Sequence, residues 1–498
     1  MTVSGSSLSA SAGALERYEA VIGIEVHCRL RTASKMFCAC ATDFDGAPPN
    51  TRVCPVCLGL PGALPVINRR AVELVLATGL ALEATVPAAT RWDRKNYFYP
   101  DLPKGYQISQ YDLPLASNGR LAALTTEGPF SVGIRRAHLE EDTARLVHAT
   151  TPDGRQVSLI DFNRSGAPLM EVVTEPDIRT AEQARRYAEE LQLLLRTIGA
   201  SDADMERGQL RVEANVSLRP RGEEVLGTRV EIKNMNSFRS VERAIRTEIE
   251  RQAVALDAGE AIVQETRGWN EIRGTTYVMR VKESSDDYRY FPEPDLPPLV
   301  VEPGWLDTLR AAMPELPAAR RARYRERYHL SEYDAAVLAA DPDATRLFEA
   351  TLAAASDLEP GVVSTWVTGE YLGLRNRATG PVAIDPDDLA HLVGQVASGA
   401  VSRANAREVL ALHIATGEPA AALIEARGFR QISDPGALGG VLAKVLAAHP
   451  QAVADVRAGK EQAIGFLVGQ VMKATRGQAN ASVARAAVRE ALDREGEG

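Results

Sequence analysis

Apolar and polar residues alternate with a period of two in several stretches of the N-terminal half. In VIGIEVHCRL, Ile22, Ile24 and Val26 alternate with Gly23, Glu25 and His27, which predicts a strand with one buried face. Glu25 and His27 then leave that strand on the same side, roughly 7 Å apart. In QLRVEANVSLRP the apolar set is Leu210, Val212, Ala214, Val216 and Leu218, and the opposite face carries Arg211, Glu213, Asn215, Ser217 and Arg219. RVEIKN sets Glu231 and Lys233 opposite Val230 and Ile232. Strand-like, helical and loop segments mix from Tyr18 to about Phe291, an α+β pattern. The Pro-rich stretch PEPDLPPLVVEPG, Pro292 to Gly304, then reads as a linker, because proline fixes φ and removes a backbone donor. Beyond it the period becomes helical. In EQAIGFLVGQVMKATRG, Ile464, Leu467, Val468, Val471 and Met472 make one apolar stripe, with Gly477 as the stop. Two helical bundles are expected, divided near residue 410.

A chain of 498 residues exceeds what one core usually serves, so two to four domains are expected. No apolar run approaches the roughly 20 residues of a membrane span. The small polar residues 1–15 read as a disordered tail with no secretory signal, which places the protein in the cytoplasm. A net charge of −9 argues against a general nucleic-acid coat. Any nucleic-acid contact must therefore use local patches, such as Arg91, Arg94 and Lys95 or Lys473 and Arg476, unless these are simply a solvated surface.

Five cysteines are too few for a disulfide framework in so long a chain. Cys38 and Cys40 form one close pair and Cys54 and Cys57 another, and four thiolates suffice for a closed structural zinc site. Cys28, left over, reads as a small core hydrophobe. RRAHLEEDTARL adds His138, Glu140, Glu141 and Asp142, too many acids for a core and suggestive of a cation site. Neither a GxxxxGK[ST] loop nor a kinase-type glycine loop is present, so ATP binding does not follow from pattern.

Whole segments resemble the B subunits of the tRNA-dependent amidotransferases, in the family's order: YEAVIGIEVHCRL, PGALPVIN, DRKNYFYPDLPKGYQISQYD, HLEEDTARL, DFNRSGAPLMEVVTEPD, VEIKNMNSF and FLVGQVMKATRGQAN. The resemblance implies a cradle-like mixed catalytic domain over 16–295, a linker and all-helical domain over 296–410, and a helical tail domain over 411–498 that contacts tRNA. It also implies an activity. ATP activates the side-chain carboxylate of Glu or Asp mischarged onto tRNA, and ammonia from an amidase A subunit displaces the phosphate, with a small C subunit clamping the pair. Carried over by residue, Glu25 and His27 are expected to bind magnesium, with Glu140 or Glu141, Glu213 and Glu271 as further acids. Glu213 stands where many relatives have Asp, and Val212 where Cys is usual; Asn270 departs from the family's WDE-type stretch. Lys95 is expected to meet phosphate, with Asn96, Tyr97 and Lys104 as positioning residues, and the four cysteines match a zinc knob found in some relatives. Two rival readings are a non-catalytic tRNA adaptor and a stand-alone zinc hydrolase built on Glu25, His27 and Cys28. The first must explain acids that repel RNA, and the second needs an open metal position.

Overall fold

The computed structural model describes residues 16–281, 288–431, 435–458, 460–475 and 478–494; the expected tail over 1–15 and Arg476 lie outside them. Two compact units divide after Pro317. In chain order the first unit comprises β1 (Tyr18–Arg29), α1 (Arg69–Ala81), β2 (Ala89–Thr90), β3 (Asp93–Asn96), β4 (Tyr106–Ser109), β5 (Ala116–Thr125) and β6 (Gly128–Glu141). There follow β7 (Arg145–Thr150), β8 (Gln156–Asp161), β9 (Pro168–Thr174), α2 (Ala181–Thr197), β10 (Leu210–Pro220), β11 (Val230–Met235) and α3 (Phe238–Asp257). β12 (Glu265–Asn270), β13 (Thr275–Val281), β14 (Phe291–Pro292), β15 (Leu299–Val300) and α4 (Pro303–Ala311) complete it.

Eight strands form one sheet in the order β13-β12-β11-β10-β1-β9-β6-β5. Only β11 and β12 run parallel, joined through α3. The period-two readings hold: Ile22, Ile24, Val26, Val212, Ala214 and Val216 are all buried in one core with Ala184, Tyr187 and Leu191 of α2 and Ala244 and Ile245 of α3. One sheet face is thus apolar and covered by helices, and the strands' polar residues share the other. The helices start where side chains satisfy their free N–H groups: Thr180 and Gln183 form a capping box on α2, and Ser237 caps α3. A small sheet, β14-β3-β4, is anchored by Arg94, which bonds both carboxylate oxygens of Glu293 at 2.7 Å.

The expected domain edge at 295 and 296 falls inside this unit, because Leu296, Val301, Trp305 and Leu309 pack on its core. The prolines remove hydrogen-bond donors without breaking the apolar contacts that carry the chain onward.

The second unit is helical: α5 (Pro317–Tyr328), α6 (Glu332–Ala340), α7 (Pro342–Ala354), α8 (Pro360–Thr365), a π-helical turn over Trp366–Tyr371, α9 (Leu372–Arg375), α10 (Pro386–Ala397), α11 (Arg403–Thr416) and α12 (Ala420–Arg427). Then come α13 (Pro435–Ala448), α14 (Pro450–Arg457), α15 (Glu461–Ala474) and α16 (Ala481–Arg494). It holds two cores. One runs from Tyr324 to Ile424, with Phe429 against it, and the other from Leu438 to Leu492. Residue 410 lies within α11, whose Val409 and Leu410 belong to the first core, so the division between cores comes after Phe429. The stripe on α15 behaves as its spacing predicts, with Ile464, Leu467, Val468 and Val471 buried.

Candidate functional site

Strand register assembles the polar face. Glu25 stands opposite Glu213 on β10, and His27 stands between Arg211 on β10 and Glu171 on β9. Glu171 in turn faces His138 on β6, and Asn215 faces Glu231 on β11. Since side chains alternate along a strand, Glu140 shares the face of His138, and Glu141 points the other way. Two groups result. In one, ligand atoms of His27, Glu140 and Glu171 all lie within 4.8 Å of one another; in the other, those of Glu25, Glu213 and Glu231 do. His27 Nε2 is 3.6 Å from Glu171 and 3.7 Å from Glu140, and His138 Nε2 is 3.2 Å from Glu171.

The field inside this cluster is uneven. Burial, reinforced by the charges of Glu171, Glu213 and Glu231, raises the pKa of Glu25. Burial works against the charge of Glu171 too, but His138 and His27 outweigh it and hold that carboxyl well below its ordinary value. The Glu25 group contains a cation of its own, since Lys233 Nζ lies 2.6 Å from Glu213 and 3.6 Å from Glu231. A bulge puts it there: Ala214 pairs with Ile232 and Val212 with Met235, so Lys233 and Asn234 both oppose Glu213. Asn234 takes up the extra residue at φ 65°, a conformation asparagine tolerates.

Two polar atoms here are buried without a hydrogen-bond partner, His27 Nδ1 and Asn215 Oδ1, although Asn215 Nδ2 donates to Glu25 at 2.9 Å. An unsatisfied buried polar atom costs about 1–3 kcal/mol, so such atoms point to a missing partner. Oxygen donors crowded at this density fit a hard divalent cation such as magnesium.

Lys95 enters from β3 and is raised in pKa: burial opposes its charge, and Tyr290, Glu140 and Glu171 more than offset that. Of the other residues expected near phosphate, Tyr97 stays beside Lys95, whose Nζ is 5.9 Å from its ring centre, while Lys104 and Asn96 have partners of their own. Lys104 pairs with Glu141, which also accepts from the Ile108 N–H at 3.0 Å. Asn96 donates to the carbonyl of Arg289 at 2.8 Å, and the Tyr97 hydroxyl donates to Gln107 at 3.2 Å. Of the pair that sequence left open, Glu140 lies in the His27 group and Glu141 does not. Glu271 also lies apart. It sits in the turn between β12 and β13, is bonded to Arg243, Ser240 and Trp269, and lines a separate cleft of about 520 Å³. Glu171 is the member that sequence reading missed, because PLMEVV reads as a continuous apolar strand. The available signal was a single acid in the middle of that run.

The four knob cysteines converge, with their Sγ atoms within 4.8 Å of one another. Cys54 and Cys57 are 3.8 Å apart, against about 3.8 Å for an edge of a zinc tetrahedron with bonds near 2.3 Å. Hydrogen bonding from the Cys38 thiol lowers Cys57 to about 4, whereas burial pushes Cys40 up to about 11. The donor set fits zinc. The loop before β9 supports it: Ser165 Oγ donates to the Cys57 carbonyl at 3.1 Å, and Gly166, at φ 79°, sits where a Cβ would lie 3.4 Å from that of Cys57. Cys28 is apart from the knob in the sheet core, its thiol pushed up to about 12 by burial.

The sheet thus carries helices on one face and clustered acids, imidazoles and Lys95 on the other. Comparison supplies the class. The chain belongs to the GatB family: residues 20–307 match the GatB/GatE catalytic domain and residues 346–492 the GatB domain. It is 50% identical over 478 residues to the B subunit of the aspartyl/glutamyl-tRNA(Asn/Gln) amidotransferase of Moorella thermoacetica, covering 95% of this chain and 100% of the relative. The protein of the same description from Thermomicrobium roseum is 51% identical, covering 95% and 99%.

Proposed function

We propose that this chain is the B subunit of a tRNA-dependent amidotransferase and activates the side-chain carboxylate of Glu-tRNA(Gln), Asp-tRNA(Asn) or both. The carboxylate oxygen attacks the γ-phosphorus of ATP, ADP departs, and an acyl phosphate forms. Ammonia, released by an amidase A subunit held through a small C subunit, then attacks the acyl carbon; it loses a proton, inorganic phosphate leaves, and the side-chain amide remains. Phosphoryl transfer needs little covalent help, so the protein's task is to position the groups and neutralise their charge.

The observation that carries this reading is the pair of acid groups on one sheet face with Lys95 beside them. Glu25, His27, Glu140, Glu171, Glu213 and Glu231 are the residues that would hold magnesium, with the unpartnered Asn215 Oδ1 among them. Bound there, magnesium would supply neutralisation of the phosphate oxygens. Lys95 offsets the charge that builds on the transferred group. Cys38, Cys40, Cys54 and Cys57 would hold a structural zinc, and the last helical module contacts the tRNA. The protein works in the cytoplasm; no helix among the described residues is long and apolar enough to cross a membrane.

The test separates the half-reactions. In the complex assembled with its partner subunits, Glu25→Gln and His27→Ala abolish ATP-dependent activation and leave glutamine hydrolysis intact. Activation at near wild-type rate at saturating magnesium would remove these residues from the site.

A further inference from the structure

A row of aromatic rings runs away from the acids, and phosphate chemistry does not account for it. Tyr97 meets Tyr99 and Tyr288 edge-on at 6.0 and 6.1 Å, Tyr288 meets Tyr290 edge-on at 6.1 Å, and Tyr290 lies flat on Tyr111 at 4.4 Å and 16°. The row starts at Lys95, whose Nζ is 4.9 Å from the Tyr288 ring centre and 5.9 Å from that of Tyr97. It ends at Tyr111, which is 49% exposed. Tyrosines that serve only to pack bury their rings, and an exposed one beside a charged site offers a flat apolar surface for a ligand.

The backbone under this row is fixed by hydrogen bonds. Tyr111 N–H donates to Asp93 at 3.0 Å, and Phe291 and Pro292, next to Tyr290, pair with Arg94 and Asp93 of β3. Asn96 donates to the carbonyls of Tyr288 and Arg289 at 3.1 and 2.8 Å. With Tyr290 on one face of Tyr111, the stack can grow only on the other.

We propose that Tyr111, backed by Tyr290, is a stacking platform for an adenine ring, either that of ATP or that of the 3′-terminal adenosine of tRNA. The assignment rests on the amidotransferase reading, in which both substrates carry an adenine separated from the reacting group by a ribose and a short chain. From Lys95 Nζ it is 4.9 Å to the Tyr288 ring, and ring-to-ring steps of 6.1 and 4.4 Å lead on through Tyr290 to Tyr111, so base and reacting group would bind at opposite ends of the row. Stacking on an aromatic face suits both sources, because an unpaired terminal base and a nucleotide base present the same π surface.

Tyr111→Ala and Tyr111→Phe, each in the assembled complex, test it. Binding of ATP is measured by calorimetry, and binding of tRNA with 2-aminopurine in place of the terminal adenine by the fall in fluorescence that stacking causes. The alanine variant should weaken one of the two by roughly 5- to 150-fold, the range for loss of one base-aromatic stack, and the phenylalanine variant should bind as wild type. Loss confined to ATP assigns the platform to the nucleotide; loss confined to tRNA, with the quenching gone, assigns it to the terminal adenosine. Unchanged binding of both by Tyr111→Ala overturns the proposal, as does Tyr111→Phe binding as poorly as Tyr111→Ala, since a phenyl ring still stacks. If the wild-type complex bound neither ATP nor tRNA, the amidotransferase reading would fall and this assignment with it.

Discussion

Replacing Glu171 by glutamine keeps the side chain's shape and removes its charge. In the folded protein that charge lies 3.2 Å from His138 Nε2 and 3.6 Å from His27 Nε2, and it acts on Lys95 as well. The carboxyl is held well below its ordinary pKa despite burial, because His138, His27 and Lys95 favour its charged form by more than desolvation costs. Losing one charge-assisted hydrogen bond should cost about 1.5–3 kcal/mol of stability, readable as a lower urea midpoint. The effect on activity should be larger in proportion, because Glu171 belongs to the His27 group and orients the His138 imidazole: about 10- to 100-fold in metal affinity or activation rate. The assay follows ATP-dependent activation by the assembled complex across a magnesium titration, with glutamine hydrolysis as the control. An unchanged magnesium dependence together with an unchanged rate would refute the reasoning, since it would make Glu171 a buried structural acid that happens to face the site.

Cys54→Ser should lose zinc and loosen the knob, since a closed thiolate site contributes directly to folding; elemental analysis of protein purified without chelator checks it, and zinc well below one equivalent in the wild type counts against the site. Removing residues 435–498, which takes away the last core and leaves the preceding one whole, should weaken tRNA binding and flatten its salt dependence while sparing ATP binding. Unchanged affinity and slope would leave tRNA binding to the catalytic unit. Asp341→Asn tests the helical unit: Asp341 caps α7 through the Asp343 and Ala344 N–H groups and pairs with Arg375. Burial opposes its charge but the Arg375 pair and the cap outweigh it, so its folded pKa is lowered; the resulting stability is present above about pH 4 and is lost as pH falls through the folded value. Asparagine keeps the cap and loses the ion pair, so the variant should be about 1 kcal/mol less stable at neutral pH, with the gap closing in acid; a gap that persists in acid refutes the pairing.

The sequence by itself determined the local part of this protein. Period-two alternation placed Glu25 with His27 and Glu213 with Asn215 on single strand faces, because side-chain direction along a strand depends only on parity. The Cys38, Cys40, Cys54 and Cys57 spacing was likewise enough to expect a four-thiolate knob, since both pairs are short-range. The α15 stripe was legible for the same reason. Tertiary structure alone decided which strands became neighbours: β9 between β1 and β6 brings Glu171 to His27 and His138, which are far apart in the chain and joined only by register. Parity separated Glu140 from Glu141, but only the sheet showed which of them faces His27. Glu271 lies in a turn at the far end of β12, where local composition gives no sign of distance from the acids. The edges at 317 and after Phe429 were set by which apolar residues share a core, as with Trp305 and Leu309 packing back across the prolines. Packing between distant segments has no period in the sequence, so only the folded chain reveals it.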